Sequence, residues 1–293
     1  MRERLITSLF YVVAKLPWSA LSGLGVIVGH AMYLSNGREA KNVQANLKIA
    51  YPDLSVQDRK AMTKQALVHS AKTFMEMPKI WLSPSTIAAR VDPNGLPERI
   101  YQLLSQGQGL VLAMPHHGNW EMVSSGVPQD VAITALYRPP RQAFIEPLMQ
   151  KGREIGRIAM VATDRSGIKA LYDTLKASDV VAILPDQVPR AAGAAAVSAP
   201  FFGRESSTMV LMSRLAAKHN SPVLFCWAER QADNRYVMRY FDAEAEVSDK
   251  DAQVAAVALN QAVERVIDDH PAQYQWAYRR YTPVNDQQTN PYA

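Results

Sequence analysis

At 293 residues, with 48% apolar and 20% charged side chains, the chain can bury a large core and is neither disordered nor a polytopic membrane protein. Its net charge of +5 comes without a Lys/Arg block, which disfavours nucleic acid and fits an anionic partner such as a phospholipid surface, an acidic carrier protein or a phosphorylated glycolipid. The single cysteine, Cys226, excludes an intramolecular disulfide framework and a Cys-based zinc site, as suits a reducing compartment.

Residues 1–37 open with basic Met1–Arg4 and an apolar run, Leu5–Ala14; after Lys15-Leu16-Pro17, the stretch to Gly37 has no formal charge. No small-residue cleavage site follows, so this is no signal peptide. Ser19, Ser22, Gly23, Gly25, Gly29 and His30 dilute it as a membrane span, and Pro17 breaks any continuous helix from Leu5. Three readings stay open: a partly inserted or marginally spanning helix, a pair of interfacial helices with Tyr11, Trp18 and Tyr33 at headgroup level, or a soluble core helix. Membrane attachment, short of a full crossing, is the favoured one.

Residues 38–293 read as one α/β domain. Residues 37–50 have helical spacing, with Val43, Leu47 and Ala50 on one stripe, until Tyr51-Pro52-Asp53 stops them. Ser55 caps a longer helix to about Met77. After the loop at 92–97, βα alternation sets in. Helices are predicted over 96–106, 143–155 and 168–177, and strands over 109–114, 131–137, 157–162 and 180–184. A helix follows near 209–218, then a hairpin of 222–229 and 235–242 and a helix over 250–269. The expected fold is a mixed, mostly parallel sheet flanked by helices.

Chemistry concentrates at Gly109-Leu-Val-Leu-Ala-Met-Pro-His-His-Gly-Asn-Trp-Glu-Met122. A buried strand ends at Pro115, Gly118 permits a sharp turn, and Asn119 can cap a helix with Glu121 in its first turn. Ligands of open α/β sheets bind at the carboxyl ends of strands. Five residues on one helix rotate by about 500°, so His116 and Glu121 meet only with the histidine on the loop and the glutamate beyond it. A carboxylate-held histidine is a general base, and no Gly-x-Ser-x-Gly elbow offers a protein nucleophile. This points to activation of a substrate hydroxyl, as in acyl transfer to an alcohol. A zinc site from His116, His117 and Glu121 lacks the helical His-Glu-x-x-His spacing.

His-His-Gly-Asn-Trp-Glu after a buried strand resembles the His-x4-Asp/Glu motif of the bacterial late lipid A acyltransferases. Further pieces are similar to the family's in the same order: Asn42-x3-Asn46-Leu with Tyr51-Pro, Tyr137-Arg-Pro, Arg153 with Gly156 (Ile155 in the apolar slot), Leu184-Pro-Asp-Gln187, Pro200-Phe-Phe-Gly203 with Thr208, and a C-terminal segment from His270 to Tyr281. The resemblance implies a glycerol-3-phosphate acyltransferase-like fold, no cofactor and no metal. It implies transfer from an acyl-carrier-protein thioester to a lipid A precursor at the cytoplasmic face of a Gram-negative inner membrane, with bilayer phospholipid as a further partner. In that reading His116 is the base and Glu121 holds its imidazole; Arg138 and Arg153 bind phosphate or an oxyanion, and Asp186 and Gln187 bind substrate. Another glycolipid acceptor, or an inactive membrane lipid-binding protein, is the alternative.

Overall fold

The computed structural model describes residues 2–140, 142–154, 156–189 and 196–293. Four helices lead the chain: α1 (Arg2–Lys15), α2 (Trp18–Ser35), α3 (Arg38–Ala50) and α4 (Val56–Leu82). β1 (Val91–Asp92), α5 (Leu96–Leu104), β2 (Leu110–Ala113), β3 (Ile133–Tyr137), α6 (Glu146–Arg153), β4 (Ile158–Ala162), α7 (Arg165–Lys176) and β5 (Val180–Ile183) follow. Then come β6 (Ala196–Phe201), β7 (Arg204–Met209), α8 (Leu211–His219), β8 (Val223–Arg230), β9 (Tyr236–Asp242) and α9 (Ala252–Asp269). Seven strands form one sheet in the order β1-β9-β8-β2-β5-β3-β4, parallel except for the β8–β9 hairpin. The expected mixed, mostly parallel sheet flanked by helices is therefore present.

β2, β5 and β8 are buried throughout, and apolar except for Glu229 and Arg230 at the end of β8, as strands covered on both faces must be. Their alternate residues feed two cores. Leu112, Ile133, Ala135 and Ala182 face one, with α5, α6 and the end of α4; Val111, Val181 and Ile183 face the other, with α3, α7, α8 and α9.

Side-chain caps start three of the helices. Ser55 accepts from the Asp58 N–H, as its N-cap role required, and Asp164 and Asp251 cap α7 and α9 in the same way. α4 overruns the expected end at Met77 and carries Pro78 inside it, because Ile80 and Trp81 beyond are buried in the core. The predicted helix over 143–155 is a single 3-10 turn, Ala143–Ile145, continuing into α6, and Ile155 lies outside the described residues. The β6–β7 hairpin was not expected. Its two-residue loop, Phe202-Gly203, has φ values of 46° and 72°, the left-handed pair that matches strand twist.

Among the described residues no helix is long and apolar enough to cross a membrane. Two of the glycines that weaken α2 as a span serve packing. A Cβ on Gly25 would lie 2.6 Å from Lys72 Cα, and one on Gly29 2.5 Å from Val68 Cα, so α2 lies almost backbone to backbone on α4. Lys79 of α4 donates to the Ala14 and Leu16 carbonyls, closing the end of α1.

Candidate active site

The elbow forms where expected. Met114 extends β2 by donating to the Ile183 carbonyl, Pro115 ends the ladder, and Gly118 turns at φ 62°. A Cβ there would stand 1.9 Å from the Ala228 carbonyl oxygen. Asn119 caps the next element by accepting from the Glu121 N–H; that element is a 3-10 helix, Trp120–Ser125, rather than an α-helix.

The elbow is held from below by buried charge. Glu76 of α4 accepts from Asn119 (2.8 Å) and Tyr236 (2.5 Å) and takes both ends of the Arg230 guanidinium, at 2.5 and 2.8 Å. Glu76 and Arg230 are almost fully buried, so only mutual pairing makes their charges tolerable.

The expected pairing of His116 with Glu121 is corrected. His116 Nδ1 lies 2.8 Å from Asp186 Oδ1, and the His116 backbone N–H donates to Asp186 Oδ2 at 3.0 Å. The reason lies in the ladder: β2 and β5 pair in register from Leu110↔Val180 to Ala113↔Ile183, and three residues beyond each strand stand His116 and Asp186. Parallel register carries the two side chains past the sheet edge together. Burial alone would raise the Asp186 carboxyl, but the His116 charge and both hydrogen bonds outweigh it and hold it below the usual range. Buried Tyr274 lies beside the same carboxylate.

Glu121 belongs to a second cluster. Arg153 of α6 forks onto it, Nε at 2.9 Å and a second donor closing the pair, while Trp81 and Trp120 donate their indole N–H groups at 2.8 and 3.1 Å. Its oxygens are thus fully engaged without the imidazole. Burial again pushes this carboxyl up, and Arg153 and the two indoles bring it below the ordinary value. Trp120 joins the clusters, its ring edge-on to His116 with centroids 5.1 Å apart.

Gln187 is adjacent to the base, its side-chain amide nitrogen 3.1 Å from His116 Nε2 and 3.2 Å from Gln275 Oε1. Arg138 stands apart from both clusters, exposed at the rim of the cavity that His116, Glu121, Arg153 and Gln187 also line. That cavity measures about 920 Å³. His117 faces away, wholly buried against Trp227, and burial drives it down to about 3, so it is neutral.

Sequence reasoning missed Trp81, Trp120, Tyr274 and Gln275 as neighbours of the site. Trp120 lay inside the elbow, and Tyr274 and Gln275 inside the C-terminal segment from His270 to Tyr281, whereas Trp81 had no local signal. The remaining motif residues are structural: Asn42 and Asn46 on α3 hold the carbonyls of Trp276, Ala277 and Tyr278, and Arg280 meets Thr208 and Asn260. Trp276 and Phe201 are core residues.

With His116 oriented by Asp186 at Nδ1, Nε2 is the basic nitrogen, on a cavity wall that also carries a carboxylate-held arginine. The set suits base-assisted transfer in which negative charge develops near Arg153.

Comparison with known proteins identifies the family. Residues 4–282 match the model of the bacterial lipid A biosynthesis acyltransferases. The chain is 26% identical over 276 residues to the lipid A biosynthesis lauroyltransferase of Escherichia coli strain K12, covering 92% of this chain and 88% of that one. It is 25% identical over 272 residues to the lipid A biosynthesis palmitoleoyltransferase of the same strain (91% and 86%), and 25% identical over 258 residues to a Haemophilus influenzae lipid A biosynthesis acyltransferase (86% and 77%). The protein is an acyltransferase and belongs to the bacterial lipid A biosynthesis acyltransferase family.

Proposed function

We propose that the chain transfers a fatty acyl group from an acyl-carrier-protein thioester to a hydroxyl of a phosphorylated lipid A precursor. The observation that carries this reading is the oriented imidazole, its Nδ1 at 2.8 Å from a buried aspartate and its Nε2 on the wall of a large, mostly apolar cavity beside Arg153.

His116 Nε2 takes the hydroxyl proton as the oxygen attacks the thioester carbonyl, after the Gln187 amide has given way. Asp186 stabilises the imidazolium that forms. Arg153, held by Glu121, offers its remaining N–H groups to the oxyanion. The C–S bond then breaks and the imidazolium proton passes to the leaving thiolate. Arg138 at the rim meets an anionic group of the acceptor.

For attachment we propose that α1 and α2 lie in the membrane interface at the cytoplasmic face. Leu9, Val12, Ile27 and Leu34 are more than half exposed, and Tyr11 nearly so, on a pair of helices whose other side packs on α4. The positive net charge favours both an anionic bilayer and an acidic carrier.

The test is mass spectrometry of an incompletely acylated, phosphorylated lipid A precursor incubated with mixed acyl-carrier-protein thioesters, comparing wild type with His116→Ala. One added acyl chain, lost in the variant, is expected. Donor consumption without a lipid product would refute the acceptor, and an equally active His116→Ala would refute the base.

A further inference from the structure

The cavity lies on both sides of the sheet. Side chains alternate along a strand, so neighbours on one strand line opposite faces. Ile133 and Ala135 on β3, with Ile158, Met160 and Ala182, belong to the core beneath the elbow and α6. Leu136 and Ile183 belong to the opposite core, and with them the cavity is walled by Ile168 and Tyr172 of α7 and Leu211 of α8. Around the carboxyl edge of β3 and β5, one cavity therefore has two apolar arms, with the His116 and Arg153 clusters on its wall. Its volume, about 920 Å³, is at the top of the range for pockets that enclose one drug-sized molecule.

The arms differ in character. In the first, Leu112, Ile133 and Ala182 are at most 3% exposed, and it runs the length of β3 from Tyr137 back to Ile133, about 13 Å at the strand rise. In the second, Ile168, Tyr172 and Leu211 are half-buried, and the wall ends at exposed Arg214. Arg138, also exposed, lines the same cavity from the end of β3. Among the described residues neither guanidinium has a carboxylate partner. An apolar wall that ends in an unpaired cation fits an amphiphile with a hydrocarbon chain and an anionic headgroup.

We propose that the α7–α8 arm is the binding site for a hydrocarbon chain of the glycolipid acceptor, with Arg214 and Arg138 taking its phosphate, while the enclosed arm beneath the elbow holds the donor acyl chain. The proposal rests on the reading of acyl transfer to a phosphorylated glycolipid and adds where each substrate lies. Arg214 then becomes a binding residue of that reaction. Both substrates occupy the cavity at once, their chains on opposite faces of the sheet and their reacting groups meeting at its edge.

The test uses the full chain, one acyl-carrier-protein thioester series and two phosphorylated glycolipid acceptors that differ only in the length of their own chains. Wild type should favour the longer acceptor in KM by up to roughly fourfold per additional methylene seated. Ile168→Trp fills the α7–α8 arm from a half-buried position and should bring the two acceptors within about twofold, with donor-length preference unchanged. Ile158→Phe and Ile158→Ala should move donor-length preference in opposite directions, shorter and longer, and leave the acceptor ratio intact. Arg214→Gln should raise KM for the phosphorylated acceptor about tenfold or more, and much less for a dephosphorylated one. If Ile168→Trp alters donor length, or leaves the acceptor ratio at the wild-type value, the two-arm assignment is overturned while the transfer reaction stands. If wild type acylates neither glycolipid, the transfer reading itself falls and takes the arm with it.

Discussion

Replacing Asp186 with Asn tests the corrected pairing most directly. In the wild type, Oδ1 fixes the proton of His116 on Nδ1 and Oδ2 accepts the backbone N–H. An amide keeps the shape and one acceptor, so the fold should survive with little change in Tm. It loses the charge that stabilises the imidazolium, a hydrogen bond worth about 1.5–3 kcal/mol to a charged group, or roughly 10 to 10² in rate. It also turns an N–H toward Nδ1, which favours the tautomer with its proton on Nε2, where the lone pair is needed. Together these predict a fall in kcat of about 10³ to 10⁴, approaching the roughly 10⁴ seen when the orienting carboxylate of a catalytic triad is made an amide. KM for the donor should move little. The assay is steady-state transfer followed by mass spectrometry, with Glu121→Gln beside it. Asp186→Asn within tenfold of wild type, next to a dead Glu121→Gln, would refute the reasoning and return Glu121 to the imidazole.

Other expectations follow from the same geometry. Arg153→Ala strands Glu121 in the interior with only two indole donors, at a cost of about 3 kcal/mol, so Tm should fall by 5 °C or more; Arg153→Ala/Glu121→Gln together should recover most of it in a double-mutant cycle. Buried His117 and half-buried His69 are held neutral, each driven by desolvation down to about 3, whereas the unfolded chain protonates them near 6.5. The unfolded state thus binds more protons between those values, so stability is full above about pH 6.5 and falls as pH drops toward 3, by about 1.4 kcal/mol per unit for each ring. Urea unfolding between pH 7.5 and 5 should record that slope and His117→Phe should lessen it; a flat profile would contradict it. Gly118→Ala should prevent folding or cost several-fold more stability than Gly107→Ala, measured by thermal denaturation, since both glycines have positive φ but only Gly118 meets backbone. Equal losses would count against the close approach.

The elbow was legible because everything that makes it is local: an apolar run, a proline, a glycine and an Asn cap within eleven residues, Gly109–Asn119. The partner of His116 was not legible, because Asp186 is seventy residues away and is brought beside it by strand register, which single-sequence periodicity does not encode. Asp186 was expected only among the substrate-binding residues, whereas the structure sets its carboxylate against the His116 imidazole. Trp81 was invisible for a related reason. It lies beyond Pro78, where local chemistry ends a helix that burial of Ile80 and Trp81 keeps going. The paired amides Asn42 and Asn46 were visible as residues, but their purpose, holding the C-terminal segment, appears only once α3 and residues 276–278 are side by side.

Helix α4 touches nearly every part of this account, and that constrains how the chain can be shortened. From Val68, under Gly29, to Trp81, which holds Glu121, it runs thirteen residues, about 20 Å. Midway Glu76 supports the elbow, and two residues before Trp81 Lys79 closes the end of α1. Cutting the chain at Gly37 to gain solubility would remove the exposed leucines of α1 and α2, but it would also uncover the side of α4 on which α2 lies and unfasten Lys79 from α1. The carboxylate that holds Arg153 is braced from outside by the helices such a trimming would discard, so a better-behaved protein would be a poorer enzyme.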